Sequence, residues 1–392
     1  MIVCSFLVEN LSPIIIKEKR AKGNFFESLD YIPASTLLGA IATRILEKYC
    51  PNYDGSKPVN CNTCNKTNCM FKKWIYDNNF PWLSHAYPTN KNEAETLINP
   101  PSLETLYSAI DSNGKEEFAD FLLYKLTIKR FLNIKHSEGF SYFRNKPPKY
   151  WEIEGGHISK IDVKFLTFSH VAIDPRTKST FLKSSNGTGE PSGLLFTVKA
   201  IQPKHRFMFK ALCNSEEDYD FIMEALKEAV WVGMGKSRGY GEVRLVHSLK
   251  KDESTYKEER LKEIKEFSNK AKNLLRSLNS SLLTSVDDDE DIVVIDGLTH
   301  SNFNILDKIS SEDRLLYQKY HSDEVITLRL GNIIKISSIR PGFVFLLESN
   351  YLNKCVDLEL APPQDTTMRW AGFGWLEINH PVHLVTGIRG DK

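Results

Sequence analysis

Apolar and polar positions alternate between two spacings along the chain. Residues Ile2 to Val8 form a short, nearly unbroken apolar run that reads as a strand. A loop rich in Lys and Arg follows (Lys17, Lys19, Arg20, Lys22). Tyr31-Ile-Pro-Ala-Ser-Thr-Leu-Leu-Gly39 then opens a helix, with Ser35 or Thr36 as its cap. Leu38, Ile41, Ala42, Ile45 and Leu46 recur at helical spacing and give that helix one buried stripe. Its unpaired N-terminal N–H groups make a ready phosphate site. Strand patterns return at Val163–Ile173, Leu194–Val198 and Phe207–Leu212, with a turn at Asp174-Pro175-Arg176. A helix over Glu217–Val230, a glycine-rich loop and a strand over Glu242–Val246 come next.

The middle and the end of the chain are patterned differently. Pro88, Pro100-Pro101 and Pro147-Pro148 punctuate residues 80–160, and the spacing predicts a helix over Glu116–Leu132. Residues 252–283 are charged, with Leu261, Ile264, Phe267, Ala271, Leu274 and Leu278 near a heptad seam. Asp287–Asp291 is an acidic linker. Strands are predicted at Ile292–Ile295, Val325–Leu330, Gly342–Glu348 and Val356–Leu360, before the closing stretch Trp370–Ile378.

With 392 residues, 41% hydrophobic and 26% charged, the chain has ordinary globular composition and room for two domains. No apolar run reaches the roughly eighteen residues of a membrane span. The first residues carry no basic region and no cleavage site, so a cytoplasmic protein with reduced or metal-bound cysteines is expected. A net charge of +1 gives no global sign of a nucleic-acid partner. Lys125–Trp151 is locally basic, with Tyr142, Phe143, Tyr150 and Trp151 interleaved, a composition that suits single-stranded nucleic acid. A solvated helix face and a loop with partly buried aromatics explain it more simply.

The loop Gly233-Met-Gly-Lys-Ser-Arg-Gly-Tyr-Gly241 contains Gly235-Lys236-Ser237, which invites a P-loop reading. That pattern needs a glycine at Val230 and a strand-to-helix setting, whereas this loop joins a helix to a strand. The dinucleotide fingerprint fails too, because Arg238 stands where its third glycine belongs. What remains is a tight connection, or an anion cradle. In the second case Gly233, Gly235, Gly239 and Gly241 free the backbone, Lys236 and Arg238 supply charge, Ser237 a hydroxyl, and Tyr240 a stacking face.

The order of these motifs resembles the CRISPR-associated RAMP superfamily. The residues that carry the likeness are the Ile32-Pro33 helix start, His170-Val-Ala-Ile-Asp174, Gly193-Leu-Leu-Phe-Thr197, the loop at 233–241, and a second glycine loop in Arg369-Trp-Ala-Gly-Phe-Gly374. The sequence is most similar to the large type III-D subunit, although Ala34 stands where the family has glycine. The resemblance implies an α+β fold of tandem ferredoxin-like (RRM-like) domains. Residues 1–250 would form the first, with a zinc insertion near 50–69 and a helical insertion near 90–160. Residues 251–392 would form a helical linker and the second. It also implies a structural subunit that binds guide RNA, holding its 5′ repeat-derived tag. Other effector subunits would be direct partners, and target RNA an indirect one. The implied RNA contacts are Lys17, Lys19, Arg20 and Lys22, the helix start at Ser35 and Thr36, and the loop at 233–241, with both glycine loops beside helix ends and a sheet face, surfaces where RNA backbone can lie.

Cys50, Cys61, Cys64 and Cys69, spaced C-x10-C-x2-C-x4-C, predict a structural zinc site with no open position. Cys4, Cys213 and Cys355 sit in apolar runs and read as core. Some RAMP proteins cut RNA, so an endoribonuclease is the alternative to a non-catalytic scaffold. Glu18, Glu27 and Asp30 stand in the loop where relatives place a catalytic Asp. An ion pair is the more ordinary role for a carboxylate beside Lys19 and Arg20. His170 and Asp174 share one strand-to-turn segment and read as structural, while His300, His380 and His383 have no partner visible in the sequence.

Overall fold

The computed structural model describes residues 1–17, 25–55, 59, 61, 64, 69–110, 116–125, 142–144, 147–171, 182–183, 192–193, 195–277, 290–301, 314–329, 332–349 and 351–385. Two mixed units share an α+β architecture. The first sheet contains β1 (Ile2–Asn10), β2 (Trp82–Leu83), β3 (Tyr87–Thr89), β4 (Arg206–Cys213), β5 (Val230–Trp231) and β6 (Glu242–Asp252). Its order is β5-β6-β1-β4-β2, with β3 also on β4, and every pairing is antiparallel. Helix α1 (Ala34–Tyr49) lies between β1 and β2, and α2 (Glu216–Lys227) between β4 and β5.

Helix α3 (Glu253–Ser277) leads to the second sheet. This holds β7 (Asp291–Gly297), β8 (Arg314–Lys319), β9 (Val344–Ser349) and β10 (Leu376–Ile378), with α4 (Leu352–Glu359) after β9. The order is β8-β9-β7-β10, again antiparallel throughout. Setting β3 and β5 aside, each sheet reads fourth, first, third, second.

The apolar run in β1 is explained by cover on both faces. Cys4, Phe6 and Val8, with Phe207, Phe209 and Ala211 of β4, pack under Leu38 and Ile41 of α1 and Ile222 and Leu226 of α2. Val3, Leu7, Met208 and Leu212 point the other way and meet Tyr256, Leu298 and Trp375. Trp82 and Trp375 stack at 3.9 Å between ring centres. The face of this sheet opposite the helices, expected as a surface for RNA backbone, is therefore covered by the second half of the chain.

Buried charge ties the same junction. Lys210 on β4 meets Glu377 on β10 at 2.6 Å, and both are essentially inaccessible. On α3, Arg260 donates from Nε and Nη2 to Glu359 (3.1 and 2.8 Å), and Tyr256 donates its hydroxyl to the same carboxylate (3.0 Å). Tyr256, Arg260, Ile264, Phe267, Ala271 and Leu275 form one buried stripe, so α3 packs within the chain.

Other expectations need correction. Glu116–Asp120 is a strand, not helix; only Leu122–Lys125 is helical, and residues 126–141 lie outside the described set. It belongs to a five-stranded antiparallel sheet with Leu106–Ile110, Tyr142–Arg144, Trp151–Glu154 and His157–Lys160. Among its described residues, the insertion expected to be helical holds these five strands and one short helix. Its core includes Trp151, and Tyr150 is buried nearby, so neither ring is available as a stacking platform. Val356–Leu360 is not a strand either. Its residues fall largely within α4, which buries Leu352, Cys355, Val356 and Glu359 at helical spacing.

Candidate nucleic-acid interface

β5 and β6 pair at Val230↔Val243 and Trp231↔Glu242, so residues 232–241 form the loop of a hairpin reached from α2. All four glycines have positive φ, and Lys236–Arg238 makes one tight 3₁₀ turn between Gly235 and Gly239. The loop is fixed to the segment after β1. Met234 N–H donates to Ile15 O (2.8 Å), and Gly241 N–H to Pro13 O (2.9 Å). A Cβ on Gly241 would lie 2.1 Å from Val232 O, at φ 86°, so only glycine fits. Much of the glycine content thus serves backbone packing, and the tip carries the chemistry.

At that tip Ser237 and Arg238 are exposed, and Arg238 has no ion-pair partner among the described residues. Lys236 differs. Its ammonium pairs with Glu47 of α1 at 2.8 Å and lies 4.7 Å from the centre of the Trp231 ring. Tyr240 is half-buried beside Phe168 (5.6 Å) and His170 (6.3 Å). These rings belong to a small sheet of Phe165–Val171, Leu195–Ile201 and Phe25–Glu27. His170 stacks on Phe196 at 5.2 Å, a packing role; Asp174 and the turn at 174–176 lie outside the described residues. Lys17 is exposed, with its ammonium 5.4 Å from the centre of the Phe26 ring. The loop tip, this aromatic cluster and Lys17 therefore form one neighbourhood. Lys19, Arg20, Lys22 and Glu18 lie outside the described residues.

The start of α1 is arranged differently from expectation. Pro33 is the cap residue and makes no side-chain cap bond, so neither Ser35 nor Thr36 caps the helix. Ala34 N–H instead donates to Nδ1 of His85 (3.1 Å). Burial, with His300 nearby, holds His85 well below its usual range, which keeps that nitrogen an acceptor. The second glycine loop docks here. A Cβ on Gly372 would lie 2.3 Å from the Ala34 methyl, and Trp82 Nε1 donates to Phe373 O (3.0 Å). Trp370, Ala371, Gly372 and Phe373 are buried, so the centre of this loop is a packing element, with Arg369 and Gly374 half-buried at its ends.

The carboxylates before α1 are engaged. Asp30 accepts from Lys149 (2.6 Å) and from the Tyr150 hydroxyl (2.7 Å), and Glu27 from Lys199 (2.6 Å). The histidines acquire partners that the sequence did not show. His383 is fully buried between Asp296 (2.9 Å) and Asp120 (3.1 Å), and Nδ1 of His380 accepts from Val382 N–H (3.2 Å). His300 stacks on Phe373 at 5.4 Å.

The four cysteines fit a common ligand in part. Burial and then Cys69 push the Cys61 thiol up, opposed by Tyr76 and reinforced by Cys50 and Cys64, so all four thiols share one neighbourhood. Asn52 Nδ2 also donates to Cys64 Sγ at 3.7 Å. As placed, no three His, Cys, Asp or Glu side chains among the described residues stand close enough to clasp an ion. Cys4, Cys213 and Cys355 are buried core residues, as expected.

Among the described residues, no helix is long and apolar enough to cross a membrane. No curated protein matches the chain. The solved structures similar to this chain include the following three. The Type III-B Cmr-beta bound to cognate target RNA and AMPPnP, state 1, aligns at 11% identity over 95% of this chain and 93% of that chain, with TM-score 0.39. The apo state of Type III-B Cmr-beta aligns at 14% identity over 62% and 96%, with TM-score 0.30. A Type IV-B CRISPR complex aligns at 9% over 64% and 91%, with TM-score 0.29. Scores this low fix no residue and no role. The sequence profile described as the RAMP superfamily matches residues 8–244, which span β1 through the glycine loop into β6. That match covers more than half of the chain, and the chain belongs to the RAMP superfamily.

Proposed function

We propose that this chain is a guide-RNA-binding structural subunit of a type III CRISPR effector complex, acting in the cytoplasm and holding the 5′ repeat-derived tag. The family match over residues 8–244 carries the reading, because it contains the whole candidate interface. The geometry supports it. Arg238 and Ser237 are presented on a rigid hairpin tip beside Lys17 and a cluster of rings, the pairing of cation and aromatic surface that suits single-stranded RNA. Arg238 can grip a phosphate with two hydrogen bonds. With that sheet face covered, RNA would lie along the loop and the strand edge. Lys19, Arg20 and Lys22 would extend the basic surface, and Ser35 and Thr36 would offer first-turn N–H groups to a phosphate. Other effector subunits are the implied protein partners, and target RNA would be met through the guide. The type III-D subtype rests on motif order alone.

Two structural readings accompany this. The shared fourth-first-third-second strand order supports two ferredoxin-like modules, divided near residue 250. Cys50, Cys61, Cys64 and Cys69 would hold a zinc ion that clamps the insertion and takes no part in chemistry. The endoribonuclease alternative would require Asp30 or Glu27 to leave its ion pair.

The test is to express the chain with its effector partners and a CRISPR array, and to sequence the RNA that co-purifies. A uniform 5′ end within the repeat supports the reading. RNA with random ends, or none, overturns it.

A further inference from the structure

A cavity of about 420 Å³ opens where three distant parts of the chain meet. One wall is Leu29, Tyr31 and Tyr87 of the first unit. A second comes from the β insertion, at Pro101–Ser102, Glu104 and Lys149–Tyr150. The third comes from the second half, with Tyr320, His321 and Arg340. The volume lies within the roughly 300–1,000 Å³ of small-molecule sites.

Its chemistry is specific. Tyr31, Tyr87 and Tyr150 form a chain of rings, with centres 5.7 and 6.1 Å apart. The Tyr87 hydroxyl donates to Leu298 O (2.8 Å) and that of Tyr150 to Asp30 (2.7 Å), which fixes both rings. Lys149, Tyr320 and Arg340 are exposed at the rim. Ser102 is held at φ 52°, a left-handed conformation costly for a non-glycine residue. The turn carrying Gly342 presses on it, since a Cβ there would lie 2.7 Å from Ser102 O. Such strain persists where surrounding structure fixes a shape, and it clusters at ligand clamps.

We propose that this cavity binds one nucleotide, with the base against Tyr31 and Tyr320, the buried Tyr87 and Tyr150 rings backing Tyr31, and the phosphate at Lys149 and Arg340. Planar aromatic walls recognise the face of any base, and two rim cations recognise its phosphate. That chemistry can come from an unpaired nucleotide of a bound RNA or from a free nucleoside monophosphate. The RNA source rests on the RNA-binding reading above; the free source does not.

Two probes separate them, used with the full chain and with Tyr320→Ala and Arg340→Ala, both exposed positions where folding is verified by thermal melting. The first is a short single-stranded RNA carrying 2-aminopurine at each position in turn, with total binding followed by anisotropy. The second is AMP, followed by calorimetry. Quenching confined to one position, weakened about tenfold by either variant, supports the RNA source. AMP binding with the same sensitivity, and no position-specific quenching, supports the free-nucleotide source. RNA binding with no position singled out, and no AMP binding, overturns the pocket and leaves the RNA reading intact. AMP binding without RNA binding keeps the pocket and overturns the RNA reading. Failure of both probes overturns both.

Discussion

Replacing Lys210 with Met keeps the aliphatic stem and removes the one cation that, among the described residues, pairs directly with Glu377. Both residues are essentially inaccessible, and the pair bridges β4 and β10. Glu377 keeps one donor, Ile98 N–H at 3.1 Å. Burial pushes its carboxyl up to about 7 even with Lys210 beside it, and Glu359 adds to the rise. A carboxyl whose pKa is higher folded than unfolded holds more protons in the folded state, so stability falls as pH rises between those values. Losing Lys210 removes the largest influence favouring the carboxylate, leaves the weaker one of Arg260, and raises that pKa further. At pH 8.5 the variant must bury an uncompensated charge or take up a proton, a loss of about 3–5 kcal/mol. At pH 5 the carboxyl is protonated, and the loss falls towards the roughly 1 kcal/mol of one hydrogen bond. Urea unfolding at the two pH values measures both. Adding Glu377→Gln should restore most of the stability at pH 8.5. An equal loss at both pH values, or under about 1 kcal/mol at pH 8.5, would refute the reasoning.

Three further outcomes are expected. Gly241→Ala places a Cβ 2.1 Å from Val232 O at φ 86°, and it should cost roughly 2 kcal/mol or more by denaturant melts; Gly239→Ala, at φ 79° with open space, should cost less. Burial opposes the His383 imidazolium, but Asp296 and Asp120 outweigh it and raise its pKa to about 10. Its contribution to stability is therefore complete below about pH 6.5 and lost as pH rises towards 10; a pH 7–10 series should show that decline, and His383→Asn with Asp296→Asn should flatten it. Metal analysis of unchelated protein should find about one zinc per chain, reduced in Cys61→Ser with Cys64→Ser; a wild-type value well below one would remove the zinc reading.

What could be read from the sequence was what local pattern decides. β1, the α1 stripe and α2 follow from periodicity; the glycine loop was read between a helix and a strand, and the two-residue strand β5 that makes it a hairpin depends on its pairing with β6. The strand at Glu116–Asp120 was missed because its pairing with Leu106–Ile110 and the burial of Asp120 against His383 are long-range facts. The cover over the first sheet was hidden for the same reason, since no local pattern says that Trp375 will stack on Trp82. One hint existed: β1 is apolar at successive positions, as a strand covered on both faces must be. At the candidate interface, the exposure of Arg238 was legible and its inequality with Lys236 was not. Glu47 lies far away in sequence and meets Lys236 only through packing of α1 beside the hairpin.

That inequality sets the most direct test. Fluorescence anisotropy of a labelled single-stranded RNA, titrated across salt concentrations, compares wild type with Arg238→Ala and Lys236→Ala. Contact between Arg238 and phosphate predicts weaker binding and a salt slope shallower by roughly one unit for Arg238→Ala, with a smaller change for Lys236→Ala. Unchanged affinity and slope in Arg238→Ala would contradict the account and leave the loop as a structural hairpin.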